Sequence, residues 1–109
     1  MQSAFVDKSD CRRQTIFPGV DITTAAGQQM MLSYVHIAPN AVVEQHSHPH
    51  EQVGIVVEGR AHFYIGDEDR ILVQGDMYRI PGGVPHRVVG LEEGAVALDV
   101  FHPIREDYL

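Results

Sequence analysis

The chain of 109 residues has little of several things, and each shortage excludes a class of protein. Its one cysteine, Cys11, cannot form a disulfide within the chain, and a single free thiol is typical of the reducing cytoplasm, where we place the protein. Lysine and arginine together number 8 against 15 acidic residues, and the net charge of −7 disfavours nucleic acids and anionic membranes as partners. No apolar run approaches the roughly 20 residues that span a bilayer, and residues 1–8 lack the basic-then-apolar order of a secretory signal.

Helical periodicity, internal repeats and linkers are absent too, so we expect one domain over residues 1–109. Short apolar runs alternate with Gly, Pro and Asp, which is typical of an all-β sandwich or barrel. Gly59 and residues 92–94 are interpreted as breaks between strands, residues 1–18 as an irregular arm that packs on the body or on a partner subunit, and residues 102–109 as a tail. The predicted strands cover residues 20–24, 30–38, 42–44, 52–58, 60–65, 71–74, 77–80, 87–89 and 95–101.

A group of histidines precedes the apolar strand that begins at residue 52. Side chains on an extended segment alternate between two faces, so His46 and His48 point the same way, and Gln52 shares their parity. Two neutral imidazoles on one side of a strand form half of a metal site, and His86, after the stiff loop 81–85, could complete it if the fold brings it close. A surface cluster or tag-like tract is the alternative, but a tag is terminal and monotonous, whereas this segment lies mid-chain.

The spacing of these residues resembles the two sequence motifs of the cupin family. The first motif is H-x-H, three or four residues, E, six residues, G; this chain has His46, His48, Gln52 in the glutamate position, and Gly59. The second is G, five residues, P-x-G, two residues, H, three residues, N; this chain has Gly75, Pro81, Gly83, His86, and Gly90 in place of Asn. Fifteen residues separate Gly59 from Gly75, as in compact cupins.

The cupin resemblance covers about residues 30–101 and has implications for both fold and cofactor. It implies an all-β, double-stranded β-helix (jelly-roll) barrel that binds one divalent transition metal ion: Ni, Fe, Mn or Zn. Because no ligand would be anionic, the ion would keep its full charge and be a better Lewis acid and anion binder. The implied ligands are His46, His48, Gln52 and His86.

A narrower resemblance involves three segments, the last of which extends into the tail. Residues 46–52, 91–94 and 99–108 are similar to the small cupins of pectin and alginate breakdown, which linearise 4,5-unsaturated uronates into 5-keto-4-deoxyuronates. This resemblance implies catalytic roles for Asp99, Phe101 and Arg105, whereas His102 departs from the small residue common there. The residue types suit those roles, because an acid is costly to bury without a purpose or a partner, and an arginine can bind a carboxylate through two hydrogen bonds.

Each of these residues also has a structural interpretation. Asp99 could be a hydrogen-bonded structural acid, Phe101 a core ring, and Arg105 a surface residue paired with Glu106 or Asp107. Among the remaining histidines, we expect His50 at the pocket rim, His36 in a structural or solvent-facing position, and His62 on the surface.

The sequence therefore predicts a metal-dependent enzyme that opens the ring of a small anionic sugar acid without redox change. The first alternative is an Fe(II) cupin dioxygenase that uses the same histidines on a small anionic substrate. The second is a non-catalytic cupin that binds a small ligand. Apolar residues on both faces of the last strand predict a homodimer that forms through one sheet.

Overall fold

The computed structural model describes residues 3–109; Met1 and Gln2, the start of the expected N-terminal arm, lie outside the described residues. Two short 3-10 helices, Lys8–Asp10 and Glu106–Tyr108, flank the sheet. No helix within residues 3–109 has the length and apolar character that a membrane crossing requires. The strands are β1 Arg12–Phe17, β2 Val20–Ala26, β3 Met31–Ile37, β4 Val42–His46, β5 Glu51–Ile65, β6 Glu68–Val73, β7 Met77–Ile80 and β8 His86–His102.

All strand pairs are antiparallel, in the order β1-β2-β3-β8-β5-β6, with β4 on β8 and β7 on β5. The two long strands β5 and β8 run side by side, and each carries a second partner along part of its length. Because sheets twist and these strands bend, the layers close around one interior. The prediction of an all-β jelly-roll barrel is confirmed.

The prediction of an irregular N-terminal arm is wrong for residues 12–17. They form β1, which pairs with β2 from Arg12 opposite Thr24 to Phe17 opposite Val20. β1 is the outermost strand of its sheet, and only Gln14, Ile16 and Phe17 are partly buried. Edge strands are commonly charged and short, because charge protects an open edge from pairing with other chains. Such a strand has no strong alternating pattern in its sequence.

The predicted breaks at Gly59 and at residues 92–94 are also wrong as strand ends. Gly59 lies inside β5 and Gly94 inside β8, with φ angles of 73° and 70°. The register between the two strands shifts on both sides of this region, after Val56 and after Gly59. A bulge of this kind bends a strand without ending it, so each predicted pair of strands is one continuous strand.

The interior follows the alternation of the strands. In β3 the odd-numbered residues 31–37 are buried and the even-numbered ones are exposed. Valine, isoleucine, alanine, leucine and phenylalanine side chains from β2, β3, β4, β5, β6 and β8 form one apolar cluster. The buried polar side chains gather at one end of the interior; they are Thr24, Ser33, His48, Gln52, His86, Asp99 and Arg105.

Candidate metal centre

Three histidines meet at the end of the interior. His46, the last residue of β4, pairs in register with His86, the first residue of β8, and His48 follows in the next loop. One ring nitrogen from each lies within 4.8 Å of the others. His48 and His86 are buried and His46 is half-buried, so the group opens into the barrel rather than onto its surface. The sequence prediction that the fold brings His86 to the other two histidines is confirmed.

Backbone carbonyls orient all three rings. Each Nδ1 lies within hydrogen-bonding distance of a carbonyl oxygen two residues away, and a carbonyl can only accept, so Nδ1 carries the proton in the neutral ring. Nε2 then keeps its lone pair and is free to bind a cation, an arrangement that is typical of metal-binding histidines. The distances are 2.8 Å from His46 to Glu44, 3.1 Å from His48 to His50, and 2.9 Å from His86 to Val84.

The protonation of the histidines also favours a cation. Burial lowers the pKa of His86 to about 4, an effect that its hydrogen bond to the Val84 carbonyl partly opposes. Burial lowers the pKa of His48 as well, and the positive charge of Arg105 lowers it further. Both rings are therefore neutral at pH 7, which is the form that binds metals.

The amide of Gln52 faces the same centre. Its Oε1 lies 3.2 Å from Nε2 of His48, and its other end hydrogen-bonds to Asp99. The Asp99 carboxylate accepts a hydrogen bond from the amide N–H, so the amide oxygen Oε1 is the end that faces His48. There the lone pairs of Oε1 and of the unprotonated Nε2 face each other. A cation between two such acceptors removes their repulsion. Three imidazole nitrogens and this amide oxygen fit a divalent transition metal ion.

Asp99 lies next to this centre and is held from two sides. It is 6% exposed, and the hydroxyl group of Tyr78 donates a hydrogen bond to its Oδ1. Tyr78 on β7 and Asp99 on β8 both lie opposite Gly54 of β5. A Cβ atom at Gly54 would collide with the Asp99 carboxylate and with the Tyr78 hydroxyl. The hydrogen bond therefore depends on the absence of a side chain at Gly54.

Burial raises the pKa of Asp99 to about 6, while the hydrogen bonds from Tyr78 and Gln52 act in the opposite direction. Burial also raises the pKa of Tyr78 well above its ordinary value, and the negative charge of Asp99 adds to this effect. Tyr78 thus stays a hydrogen-bond donor at neutral pH. Asp99 can exchange a proton near neutrality, as a general acid or base requires.

Arg105 closes the same space from the tail. The residue is 8% exposed, and its guanidinium donates to Asp107 from Nη2 at 2.8 Å and to the Tyr108 hydroxyl from Nη1 at 2.9 Å. It lies 3.9 Å from the centroid of the Tyr108 ring and 5.3 Å from that of Phe101. The expected ion pair with Asp107 is present, but the arginine is a buried residue and not the surface one that the structural interpretation described.

These side chains line a small cavity of about 50 Å³ at this end of the barrel. Its walls deep in the barrel are apolar, and its polar groups lie toward one end. The polar or aromatic residues that line it are Ser33, His46, Gln52, Phe63, Tyr78, His86, Asp99, Phe101, Arg105 and Tyr108. All three residues with an implied catalytic role therefore face the same space as two of the histidines.

The other histidines lie where the sequence places them. His50 is half-buried, with its ring centroid 5.5 Å from that of His48, and His36 is exposed. His62 lies on the outer face and contacts Asp69 at 2.8 Å.

Sequence reasoning missed Ser33, Tyr78 and Tyr108. The isolated Gly54 within an apolar strand is the signal that could have pointed to Tyr78, because such a glycine often marks a close approach of other groups.

The barrel and its three converging histidines are those of a cupin. The family model described as "Cupin domain" matches residues 33–101, and the chain belongs to the cupin family. Within that family, it is 41% identical over 81 residues to the pectin degradation protein KdgF of Dickeya dadantii, an alignment that spans 73% of this chain and 74% of the relative.

Solved structures agree with this placement. KdgF from Halomonas sp. superposes with a TM-score of 0.87 at 30% identity, covering 99% of this chain and 100% of that one. An RmlC-like cupin from Shewanella frigidimarina gives a TM-score of 0.88 at 27% identity, covering 99% and 97%. The oxalate decarboxylase OxdC of Bacillus subtilis is 35% identical over 72 residues, which span 62% of this chain but only 19% of that protein. The two likenesses to KdgF thus extend over most of both chains, whereas the likeness to OxdC covers a small part of that protein.

Proposed function

We propose that the protein is a metal-dependent enzyme that opens the ring of 4,5-unsaturated uronate monosaccharides and releases linear 5-keto-4-deoxyuronates. The observation that carries this proposal is that two members of the three-histidine centre and a buried carboxyl group with a pKa of about 6 line one cavity. The likeness to KdgF, whose name refers to pectin degradation, supports a sugar acid from that source as the substrate.

The reaction needs proton transfer and no redox change. The substrate has an enol ether at C4=C5 and a hemiacetal at C1. Opening the ring removes a proton from the anomeric hydroxyl, breaks the ring C–O bond and adds a proton at C4, so atoms and electrons balance within one molecule. Asp99 performs both transfers, because a group that titrates near neutrality can accept a proton and return it.

The other residues bind and orient the sugar. Asp107 occupies the Nε and Nη2 edge of Arg105, so we assign the substrate carboxylate to the Nη1 side, where Tyr108 is the present partner. Phe101 is 3% exposed, and we assign its ring to packing against the sugar.

The proposed ligands of one Ni, Fe, Mn or Zn ion are His46, His48, Gln52 and His86. When bound, the ion supplies Lewis-acid polarisation of substrate oxygens. Because such nitrogen and oxygen ligands discriminate weakly among these metals, geometry and availability decide which one is bound. We further propose that residues 1–109 act as one domain in the cytoplasm, in keeping with the single free thiol.

The reaction can be followed by ultraviolet absorbance, because ring opening followed by tautomerisation to the ketone removes the conjugated double bond of the substrate. We expect metal-loaded protein to remove the absorbance of lyase-generated unsaturated galacturonate much faster than it decays alone, and chelator-treated protein to recover only after metal is restored. Asp99→Asn lowers kcat by about 10²- to 10⁴-fold, the usual contribution of a general acid–base. His62→Ala, on the outer face, is the control and keeps wild-type rates.

Absence of acceleration by fully metallated protein would overturn the proposal. Oxygen consumption by Fe(II)-loaded protein would then favour the dioxygenase alternative. Binding of uronate without turnover would favour the non-catalytic one.

A further inference from the structure

Ser33 is a buried residue of the cavity to which the proposed reaction assigns no role. It lies on β3, its exposed fraction is 0%, and it lines the cavity. Its hydroxyl oxygen has no hydrogen-bond partner within residues 3–109. A hydroxyl group that loses its hydration on folding and gains no partner in the folded protein lowers stability. Such a group is expected to persist where a ligand supplies the missing partner.

The strand register places Ser33 in a row of inward-facing residues. Ser33 lies opposite Asp99 on β8, Asp99 lies opposite Gly54 on β5, and Gly54 lies opposite Tyr78 on β7. Tyr78 donates its hydroxyl to Asp99 on one side. On the other side Ser33 faces the same carboxyl group across the sheet with its hydroxyl unpaired.

The two neighbouring rows define what can reach Ser33. Toward the metal centre the next row holds Met31, Phe101 and Gln52, and away from it the next row holds apolar side chains from the same strands. A ligand that lies on Phe101 thus meets the serine row with its far edge. Beyond this row, the next cavity residues on β3 and β8 are apolar: Val35, Ile37 and Ala97.

We propose that Ser33 is a specificity-determining residue whose Oγ hydrogen-bonds to a ring hydroxyl group of the sugar acid. This inference rests on the proposed function. A serine hydroxyl both donates and accepts, so it pairs with another hydroxyl, whereas the substrate carboxylate at this position would face the negative charge of Asp99. The sugar therefore binds with its carboxylate toward Arg105 and a hydroxyl edge toward Ser33.

The test compares ligand affinity with stability in Ser33→Ala. Isothermal titration of the metal-loaded protein with D-galacturonate, a saturated uronate, and the ring-opening assay give the dissociation constant and KM. Because Ser33→Ala loses one hydrogen bond to the sugar, we expect both the dissociation constant and KM to rise by roughly 10-fold. Because the variant removes an unpaired polar group, its Tm stays the same or rises, which is the reverse of what a structural serine predicts.

Thr24 provides the matched control. It lies beside Ser33 on β2 and is 4% exposed, but its hydroxyl donates to the backbone carbonyl of Tyr108 at 3.3 Å. Thr24→Val is therefore expected to lower Tm. Galacturonate analogues that each lack one ring hydroxyl then identify the group, because one of them binds equally to wild type and Ser33→Ala.

Two results overturn the inference alone: wild-type protein that binds and converts uronates while Ser33→Ala has unchanged affinity, or a Ser33→Ala variant that is as destabilised as Thr24→Val. Wild-type protein that neither binds galacturonate nor converts the unsaturated sugar would overturn the proposed function, and the assignment of Ser33 with it.

Discussion

Two opposing effects decide the proton affinity of Asp99. Burial between β3 and β5 raises its pKa, whereas the donors Tyr78 and Gln52 stabilise its ionised form, and the result is about 6. If Asp99 were buried without the two donors, its pKa would be higher still and the protonated form would be favoured. If it had the two donors but were exposed, its pKa would be low and the carboxylate would be a weak base. In the proposed reaction Tyr78 is therefore a positioning residue, whose hydroxyl group sets the proton affinity of Asp99.

Removal of the Tyr78 hydroxyl is expected to shift the pH dependence of the reaction. Tyr78→Phe keeps the ring, whose centroid is 4.5 Å from that of Phe63, but loses the donor. Because that hydrogen bond lowers the pKa of Asp99, its loss raises the pKa above about 6. Less carboxylate is then available as a base, so the acidic limb of kcat moves to higher pH while KM changes little.

Rate profiles between pH 5 and 9 measure this shift, with two variants as references. Asp99→Asn should lack the limb altogether, and Tyr64→Phe, which stacks on His62 on the outer face, should reproduce the wild-type profile. A Tyr78→Phe profile that superimposes on the wild type would show that the hydroxyl does not tune Asp99.

The predictability of the site differs from residue to residue for a physical reason. The spacing of the two cupin motifs identifies His46, His48, Gln52 and His86. The strand period does not explain their common direction, because His46 ends β4, His48 lies in the following loop and Gln52 lies on β5. Whether Gln52 binds the ion stays a prediction. Ser33 and Tyr78 each contribute a single hydroxyl from separate strands, and only the register across four strands, which a sequence does not display, brings them to Asp99.

At the level of elements, the glycines of β5 and β8 determine how the barrel closes. Gly59 has a left-handed φ of 73° and lies opposite Ala95, where the register of the two strands changes. From the sequence such a glycine is indistinguishable from one that ends a strand, because both conformations use the same φ region. This is why the fold class was predictable while two strand ends were wrong.

Gly59→Ala and Gly75→Ala form a matched pair. Both residues have positive φ, so each substitution carries the backbone cost of about 1–2 kcal/mol. A Cβ at Gly75 has nothing within 4 Å, whereas one at Gly59 collides with the carbonyl group of Gly94, which cannot move without disturbing the pairing of β5 with β8. We expect Gly59→Ala to lower the free energy of unfolding by at least about 2 kcal/mol more than Gly75→Ala.

Urea unfolding of the two variants at one pH measures this difference. If the bend of β5 depends on Gly59, the urea midpoint of Gly59→Ala should lie well below that of Gly75→Ala, while the slopes of the two unfolding transitions should be similar. Equal losses would mean that the bulge accommodates a side chain and does not determine the path of β5.

At the scale of the whole molecule, one outer face of the sheet exposes a group of large apolar side chains. Leu32, Val100 and Val53 lie in one cross-strand row, and Tyr34, Leu98, Ile55 and Met77 in the next. Leu32, Tyr34, Val53 and Met77 are 41–75% exposed. Contiguous exposed apolar surface of this kind marks an interaction site. The sequence predicts a homodimer because β8 has apolar residues on both of its faces. One face lines the interior, and the outer one would be covered if it packs on a second copy of the chain.

Such a dimer would be held by apolar contact against charge repulsion, because each chain carries a net charge of −7. Added salt screens that repulsion and leaves apolar contact intact, so salt should strengthen the association. Size-exclusion chromatography with light scattering is expected to give a mass of about twice the 12.1 kDa of one chain, and the dimer should persist at high ionic strength.

Two lysine substitutions distinguish this face from the rest of the surface. Val53 is 44% exposed and lies in the apolar face, and Ile71 is 47% exposed on β6 outside it. Val53→Lys places a charge against its own copy in a symmetric interface and should yield monomers, whereas Ile71→Lys should leave the mass unchanged. Monomeric wild-type protein, or equal behaviour of the two variants, would show that another surface, or none, joins the chains.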